Sequence, residues 1–284
     1  MTVYPCAKIN LGLNVVSRRE DGYHDLETIF YPVAIHDEMD VCISTEHDGC
    51  RLTVQGVDNL CAPEKNLVVK AYNLLKEEYE LPGVDVTLNK LLPSQAGMGG
   101  GSSDGAYMIT ALNDLCQLNL TTEQMQQFAA RLGADCPFFI EARAAYAEGI
   151  GEKLHPLDEK ALKEKLAGMC IVLIKPDVAV STGEAYAGVK PAKTVVSCME
   201  VVTDMPLEKW KDHLRNDFED SIFPKLPVLK EVKESLYANG ARYAAMSGSG
   251  STLYGLFHEK NDKDKIEKIK SIYANKYYFK VVKV

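Results

Sequence analysis

The stretch Leu92-Pro93-Ser94-Gln95-Ala96-Gly97-Met98-Gly99-Gly100-Gly101-Ser102-Ser103-Asp104 decides how the rest of the chain is read. Five of the 20 glycines lie between Gly97 and Gly105. Before it, Val84, Val86 and Leu88 alternate with polar residues, the period of a half-buried strand. After it, Ser103 to Leu115 reads as a helix. Glycines let a backbone turn and approach a ligand closely, because no Cβ stands in the way. The first turn of the following helix has N–H groups with no intrahelical acceptor. Strand, loop and helix together make an anion site suited to a polyphosphate. A flexible surface loop is the plainer alternative. No Lys-Ser/Thr pair follows the glycines, so this is not a Walker A loop. Gly97-x-Gly99-x-x-Ser102 lacks the third glycine of a dinucleotide fingerprint.

Working outward, the pattern is mixed α and β. Asn66 to Tyr79 reads as a helix with Leu67, Val68, Ala71, Leu74 and Leu75 on one face, stopped by Pro82-Gly83. A third helix starts at Thr121, with Gln124 completing a capping box, and ends at Gly133. Ala144 to Glu148 reads as a strand, followed by a turn at Gly149 and Gly151. The charged stretch Asp158 to Lys165 marks the expected domain boundary, giving domains 1–157 and 158–284. Cys170 to Ile174 opens the second half as an apolar strand. Val178 to Thr203 reads as a looser segment, and Val228 to Ala238 as a helix. Ala241 to Met246 and Thr252 to Phe257 read as strands joined by Ser247-Gly248-Ser249-Gly250-Ser251. That second glycine-rich run is either a hairpin turn or a second backbone wall against a ligand.

Composition sets outer limits. The chain has 284 residues, with 32 Lys and Arg against 40 Asp and Glu, a net charge of −8. The pI near 5.4 excludes general nucleic-acid binding, which needs a basic face. The longest apolar stretch, Met169 to Ile174, is far short of a membrane span. Lys8 and Asn10 interrupt the apolar residues near the N-terminus, unlike a secretory signal, and a cytoplasmic location is expected. The eight cysteines include no CxxC pair and read as free thiols.

Two further segments carry chemistry. In Ala7-Lys8-Ile9-Asn10-Leu11-Gly12-Leu13-Asn14, alternation puts Lys8, Asn10 and Gly12 on one strand face. On its own this reads as an ordinary amphipathic edge strand. Asp135 follows the third helix in Leu132-Gly133-Ala134-Asp135-Cys136-Pro137-Phe138-Phe139, wedged between a helix stop and an apolar run. A partly buried carboxylate needs a partner, and Lys8 is a candidate. Such a pair can accept a hydroxyl proton while the ammonium steadies developing negative charge. A structural turn aspartate is the plainer alternative.

The order of these motifs resembles the GHMP kinases. The Pro-x-x-x-Gly-Leu-Gly-Gly-Ser-Ser loop of that family looks like Pro93 to Ser103. Its glycine-rich C-terminal motif resembles Ala245-Met246-Ser247-Gly248-Ser249-Gly250-Ser251. Ala7-Lys8-Ile9-Asn10-Leu11, Asp21-Gly22-Tyr23-His24-Asp25-Leu26 and Gly133-Ala134-Asp135-Cys136-Pro137-Phe138 narrow the resemblance to the branch acting on a cytidine diphosphate of methylerythritol. It runs from Cys6 to about Phe257.

The resemblance implies an α+β, two-domain fold. The N-terminal domain would be of the ribosomal-protein-S5-domain-2 type and the C-terminal domain ferredoxin-like. It implies ATP-dependent phosphorylation of the 2-hydroxyl of the methylerythritol unit, in the non-mevalonate route to isoprenoid precursors. Asp135 would be the general base and Lys8 its charged partner. Pro93, Ser94, Gln95, Ala96, Gly97, Met98, Gly99, Gly100, Gly101, Ser102 and Ser103 would wrap the triphosphate, with Asn66 and Lys90 near the adenosine. Asn10, Tyr23, His24, Thr182, Tyr186 and Gly248 would face the cytidine diphosphate substrate, His24 bonding the cytosine edge and Tyr186 stacking on the ring. Mg2+ would arrive with ATP. Its protein ligand is open, with Ser103 a candidate. The partners are small molecules and the expected state is a monomer or weak homodimer. Another small-alcohol kinase of homoserine or mevalonate type, or a catalytically silent nucleotide-binding regulator, are the rival readings. Met98 stands where leucine is usual, Gly105 where alanine is common, which should weaken the helix start, and Ile150 where arginine is frequent.

Overall fold

The computed structural model describes residues 1–56, 61–192 and 196–284. The strands are β1 (Thr2–Val3), β2 (Cys6–Arg18), β3 (His24–His36), β4 (Glu38–Ser44), β5 (Cys50–Gln55), β6 (Gly83–Asn89), β7 (Ala145–Glu148), β8 (Lys153–Pro156), β9 (Met169–Lys175), β10 (Tyr243–Met246), β11 (Leu253–His258) and β12 (Tyr278–Lys283). The helices used below are α1 (Leu67–Lys76), α2 (Gly100–Leu115), α3 (Thr122–Leu132), α4 (Phe138–Glu141), α5 (Glu159–Lys165), α6 (Thr182–Ala187), α7 (Cys198–Asp204), α8 (Trp210–His213), α9 (Phe218–Ile222), α10 (Pro227–Ala238) and α11 (Lys263–Tyr273). Internal contacts group the chain into two compact units. The first is Met1–Ala7, Ile35–Ser94 and Gly99–Ala142; the second is Lys8–Ala34, Gln95–Met98 and Arg143–Val284. This grouping interleaves segments, whereas the sequence pattern pointed to a single cut at 157/158.

In the first unit a sheet of order β1-β4-β6-β5 has β6 antiparallel to β4 and parallel to β5. Its inward residues Val41, Val86 and Leu88 meet Tyr72 and Leu75 of α1, Met108 and Leu112 of α2 and Phe128 of α3 in one core. Each helix starts where a side chain supplies the missing acceptor. Asn66 Oδ1 accepts the Val68 N–H at 3.0 Å at the head of α1. Thr121 and Gln124 form the expected capping box at the head of α3. The exceptions are α2, capped by Gly99, which has no side chain to offer, and α4, preceded by Pro137.

In the second unit, β9, α10, β10, β11, α11 and β12 occur in that chain order, with α6 to α9 inserted between β9 and α10. They make an antiparallel sheet of order β10-β11-β9-β12. That is the split βαβ arrangement of a ferredoxin-like domain, as expected. Val172 and Ile174 of β9 join Leu229 and Leu236 of α10, Phe257 of β11 and Ile266 and Ile269 of α11 in its core. A further sheet has the order β2-β3-β7-β8.

Three expectations are corrected. Helix α2 starts at Gly100 rather than Ser103, because the Ser103 N–H already bonds Gly99 C=O at 2.8 Å and closes the first turn. Strand β2 is not amphipathic: every residue from Cys6 to Val15 is buried, since Lys8, Asn10 and Asn14 find partners inside. The segment Val178 to Thr203 contains α6 and α7, each started by a Ser-x-x-Glu capping box, Ser181 with Glu184 and Ser197 with Glu200. Its residues 193–195 lie outside the described residues.

Gly105 also has a role that propensity does not reveal. It is buried where α2 packs on α1, and a Cβ built there would lie 2.9 Å from Leu67 Cβ. We expect Gly105→Ala to lower the urea midpoint, because overpacking costs about 1–3 kcal/mol against a propensity gain of about 1 kcal/mol. In a Leu67→Gly background, where that Cβ is gone, the same change should cost less. A stabilised single variant would show that α1 and α2 are not packed at this distance.

Candidate functional site

The second unit brings the two glycine-rich runs together. Gly97 has φ +70°, and a Cβ there would lie 2.0 Å from the Ser247 carbonyl oxygen. Only glycine allows this approach. Ser247 Oγ donates to Gly97 C=O at 2.8 Å, and the Thr252 N–H donates to Ala96 C=O at 3.2 Å. The Lys8 N–H donates to Met98 C=O at 3.0 Å, tying β2 to the same loop. The second run is therefore a wall against the first, beyond its role as a hairpin turn.

Asn216 anchors that wall. Its Nδ2 donates to Met246 C=O at 2.7 Å and Gly248 C=O at 2.8 Å, and its Oδ1 accepts the Phe218 N–H at 3.0 Å. On the other side, Leu13 of β2 exchanges backbone bonds with Arg215 and Asp217 at 2.8 and 2.9 Å. Sequence reasoning missed Asn216. Its one local signal was an Asx turn onto Phe218, two residues on.

Along β2, Lys8 Nζ donates to Asn10 Oδ1 at 2.7 Å and lies 4.8 Å from the Phe30 ring centroid. Asn10 Nδ2 donates to Thr28 Oγ1 at 3.0 Å, and Asn10 C=O accepts from the Tyr254 hydroxyl at 2.6 Å. Lys8 and Asn10 are thus held in fixed orientations. Gly248 is buried beside Asn10 Oδ1, which would lie 3.4 Å from a Cβ at that glycine.

His24, at the start of β3, stacks on Tyr186 of α6, with centroids 4.9 Å apart and planes 20° from parallel. Tyr186 in turn meets Phe218 edge to face at 4.8 Å. The two expected base-binding rings therefore do lie together. Tyr23 is exposed, and its N–H donates to Asp21 Oδ1 at 2.9 Å. Thr182 is exposed at the head of α6. Burial, then the nearby Arg18 charge, lowers the His24 pKa, so its ring is neutral at pH 7.

In the first unit, Gly100 and Gly101 form the opening turn of α2, with no acidic side chain and no capping side chain to use its N–H groups. Such a helix start favours an anion. Pro93 is half-buried and Ser94 exposed on the approach; Gln95, exposed, and Ala96 and Met98, both buried, complete the loop. Ser102 is half-buried in the first turn of α2. Ser103 is buried and its hydroxyl oxygen has no hydrogen-bond partner. Asp135 is half-buried in the turn between α3 and α4.

Lys90 and Asn66 are occupied by their own unit. Asn66 is the cap of α1. Lys90 Nζ donates to Asp37 Oδ2 and to Asp104 Oδ2, the latter at 2.7 Å. The three side chains are 4%, 0% and 3% exposed, so two buried carboxylates share one buried ammonium. Burial raises the Asp104 pKa, Lys90 pulls it down and the Asp37 charge raises it again, to about 7. Burial works against the Lys90 charge, but Asp104 and Asp37 outweigh it, and its pKa lies above the usual value. Asp37 and Asp104 were not read as a pair, because 67 residues separate them in the chain (104 − 37).

Residues 66–143 match the family described as GHMP kinases N terminal domain, and residues 205–278 the one described as GHMP kinases C terminal. A 4-diphosphocytidyl-2-C-methyl-D-erythritol kinase of Bacteroides thetaiotaomicron is 49% identical over 90% of this chain and 92% of its own. One from Parabacteroides distasonis is 47% identical over 91% of this chain and 92% of its own. A crystal structure of a 4-(cytidine 5'-diphospho)-2C-methyl-D-erythritol kinase superposes with a TM-score of 0.79 at 31% identity, covering 100% of both chains.

The Asp104 pKa generates a test. A carboxyl whose pKa is raised on folding binds its proton more tightly in the native state. Its contribution to stability is present below the unfolded value of 3.8 and is lost as pH rises toward about 7. We expect the unfolding free energy of the wild type, measured against Asp104→Asn, to fall between pH 5 and pH 7.5, by up to about 1.4 kcal/mol per pH unit. Parallel stability curves for the two proteins would contradict this.

Proposed function

The chain belongs to the GHMP kinases and, among them, to the 4-diphosphocytidyl-2-C-methyl-D-erythritol kinases, and from that premise we propose how its residues divide the reaction. The protein transfers the γ-phosphoryl group of ATP to the 2-hydroxyl of 4-diphosphocytidyl-2-C-methyl-D-erythritol. What carries this reading is the identity to such kinases along nine-tenths of the chain. The uncapped α2 and the glycine loop locked against Ser247 support it.

Phosphoryl transfer asks for positioning and charge neutralisation more than covalent help. Residues 93–103 receive the triphosphate through backbone N–H groups. Asn66 and Lys90 border the adenosine from positions fixed by the α1 cap and by the two carboxylates. Asp135 takes the proton of the attacking hydroxyl. The hydroxyl oxygen bonds the γ-phosphorus, the bridging bond to the β-phosphate breaks, and ADP leaves with its electron pair. Lys8, oriented by Asn10, supplies positive charge to the transferring group. Asn10, Tyr23, His24, Thr182, Tyr186 and Gly248 receive the cytidine diphosphate. A neutral imidazole can bond the cytosine edge, and an aromatic face can stack on the base.

Among the described residues no group of three or more His, Cys, Asp or Glu side chains is arranged to hold a metal ion. We assign Mg2+ to the nucleotide that brings it. The unpartnered, buried Ser103 hydroxyl fits it as a ligand from this chain. When bound, the ion neutralises phosphate charge. No described helix is long and apolar enough to cross a membrane, and we assign the enzyme to the cytoplasm.

An ADP-release assay across a panel of alcohols tests the reaction. We expect turnover with the cytidine diphosphate alcohol and none with homoserine or mevalonate; the reverse would sink the substrate assignment. Asp135→Asn should bind ATP nearly as the wild type does and lose roughly 10²–10⁴-fold in kcat. Near-normal turnover would remove Asp135 as the base. His24→Ala should raise KM for the cytidine substrate far more than KM for ATP, and an equal rise in both would remove it from the cytosine site.

A further inference from the structure

We propose that Asp104 is a positioning residue for ATP: through the Lys90 ammonium it shares with Asp37, it fixes the exit of the phosphate loop to the loop's entrance. This rests on the reading that residues 93–103 bind the triphosphate.

The entrance is held by Asp37, which stands between β3 and β4. Its Oδ1 accepts the N–H groups of Leu91 at 2.6 Å and Leu92 at 2.8 Å, the two residues before Pro93. Its other oxygen takes Lys90 Nζ. The Lys90 N–H donates to Gln55 C=O at 2.9 Å, so the backbone of Lys90 is pinned to β5 as well. The exit is held by Asp104, one turn into α2, whose Oδ2 accepts from Lys90 Nζ at 2.7 Å. The ammonium lies under the first helical residue: a Cβ on Gly100 would be 3.5 Å from Lys90 Nζ. One buried cation therefore ties residues 90–92 to residues 100–104, the two flanks of the stretch whose N–H groups receive phosphate.

Stability alone does not account for the arrangement. Two carboxylates on one ammonium leave an uncompensated buried charge or a proton to be taken up. Apolar residues of similar volume generally hold a fold at least as well. What the triad supplies is geometry. A loop pinned at both ends presents its donors without ordering them at the moment of binding. Two of the three Lys90 ammonium hydrogens are already committed, so the principal work of this side chain is within the protein.

The experiment compares Asp104→Ala, Asp104→Asn, Lys90→Met and the Asp104→Ala/Lys90→Met double variant. ATP affinity is measured by calorimetry without the alcohol substrate, KM for both substrates in the ADP-release assay, and folding by thermal unfolding. In Asp104→Ala the neutral Lys90–Asp37 pair remains, so the protein should fold. Its ATP Kd should rise about tenfold, which is 1.4 kcal/mol, while KM for the cytidine diphosphate alcohol stays within about twofold of the wild type. Asp104→Asn, whose amide oxygen can still accept from Lys90, should recover most of the affinity. The losses in Lys90→Met and Asp104→Ala should not add, since either one cuts the same tie. A folded Asp104→Ala that binds ATP as the wild type does overturns the proposal. Equal rises in both KM values with a lowered melting temperature also overturn it, as does full additivity, which would mean that Asp104 does not act through Lys90. If Lys90→Met does not fold, the two Asp104 variants decide. Absence of turnover by the wild type would count against the proposed reaction and leave the ATP titrations to decide the role of Asp104.

Discussion

The close approach of Gly97 to the Ser247 carbonyl is the contact on which the site depends. A Cβ at Gly97 would collide with that carbonyl, so only a glycine lets the two glycine-rich runs come this close. The Ser247 hydroxyl and the Thr252 N–H then close the joint. Behind it stands Asn216, whose amide reaches two carbonyls of the second run while its neighbours bond β2. Strand β2 carries Lys8 and Asn10. A chain of short, buried bonds therefore runs from the first glycine-rich loop through the hairpin to the strand with the lysine. The middle of the loop is placed by partners 150 residues away.

Charge is handled locally. The chain carries −8 overall, and the proposed ligands are polyanions. In the proposed reading their recognition rests on N–H groups at the head of α2, a lysine held by an asparagine, and the nucleotide's own cation. Backbone dipoles of this kind act regardless of net charge. The remaining lysine near the loop, Lys90, is turned inward. Its two carboxylates consume its charge, so it adds little to the field outside and much to the shape of the loop's flanks.

The order of elements was legible because its signals are short-range. Thr121 with Gln124, and Pro82-Gly83 after α1, are cap and stop signals within a few residues. In the second half the strand at Cys170 to Ile174, the helix at Val228 to Ala238 and the hairpin around Ser247 were read from the residues, whereas the ferredoxin-like arrangement came from the resemblance. What stayed hidden is of three kinds. The Ser181 and Ser197 boxes share the Thr121 signature, but they start helices of six and seven residues, too short to show an apolar stripe. Strand β2 alternates like a surface strand, yet its polar residues are satisfied internally by Thr28 and Glu27. Asp37, Asn216 and Asp104 act across separations that no local pattern records. In α2 the glycines misled the placement of the start. Helix propensity counts against Gly100 and Gly101, whereas the need for bare N–H groups and for an ammonium packed beneath Gly100 outweighs it.

The ring pair at the proposed cytosine site follows the same logic in a weaker form. His24 and Tyr186 are brought face to face from elements far apart in the sequence, and Phe218 supports the tyrosine from its side. An aromatic contact of this kind is worth about 0.5–1.5 kcal/mol beyond burial. A base that stacks on Tyr186 replaces the imidazole face with its own, and the imidazole, neutral because burial and Arg18 lower its pKa, is then free to turn its nitrogens to the base edge. The contact given up is recovered in kind. Exchanging one stacked face for another therefore costs little net free energy. The phosphate side cannot work this way, because N–H groups left unordered would have to be arranged against a polyanion at each encounter. That difference explains why the loop is locked by sterics and a buried cation and the rings are held only by their faces.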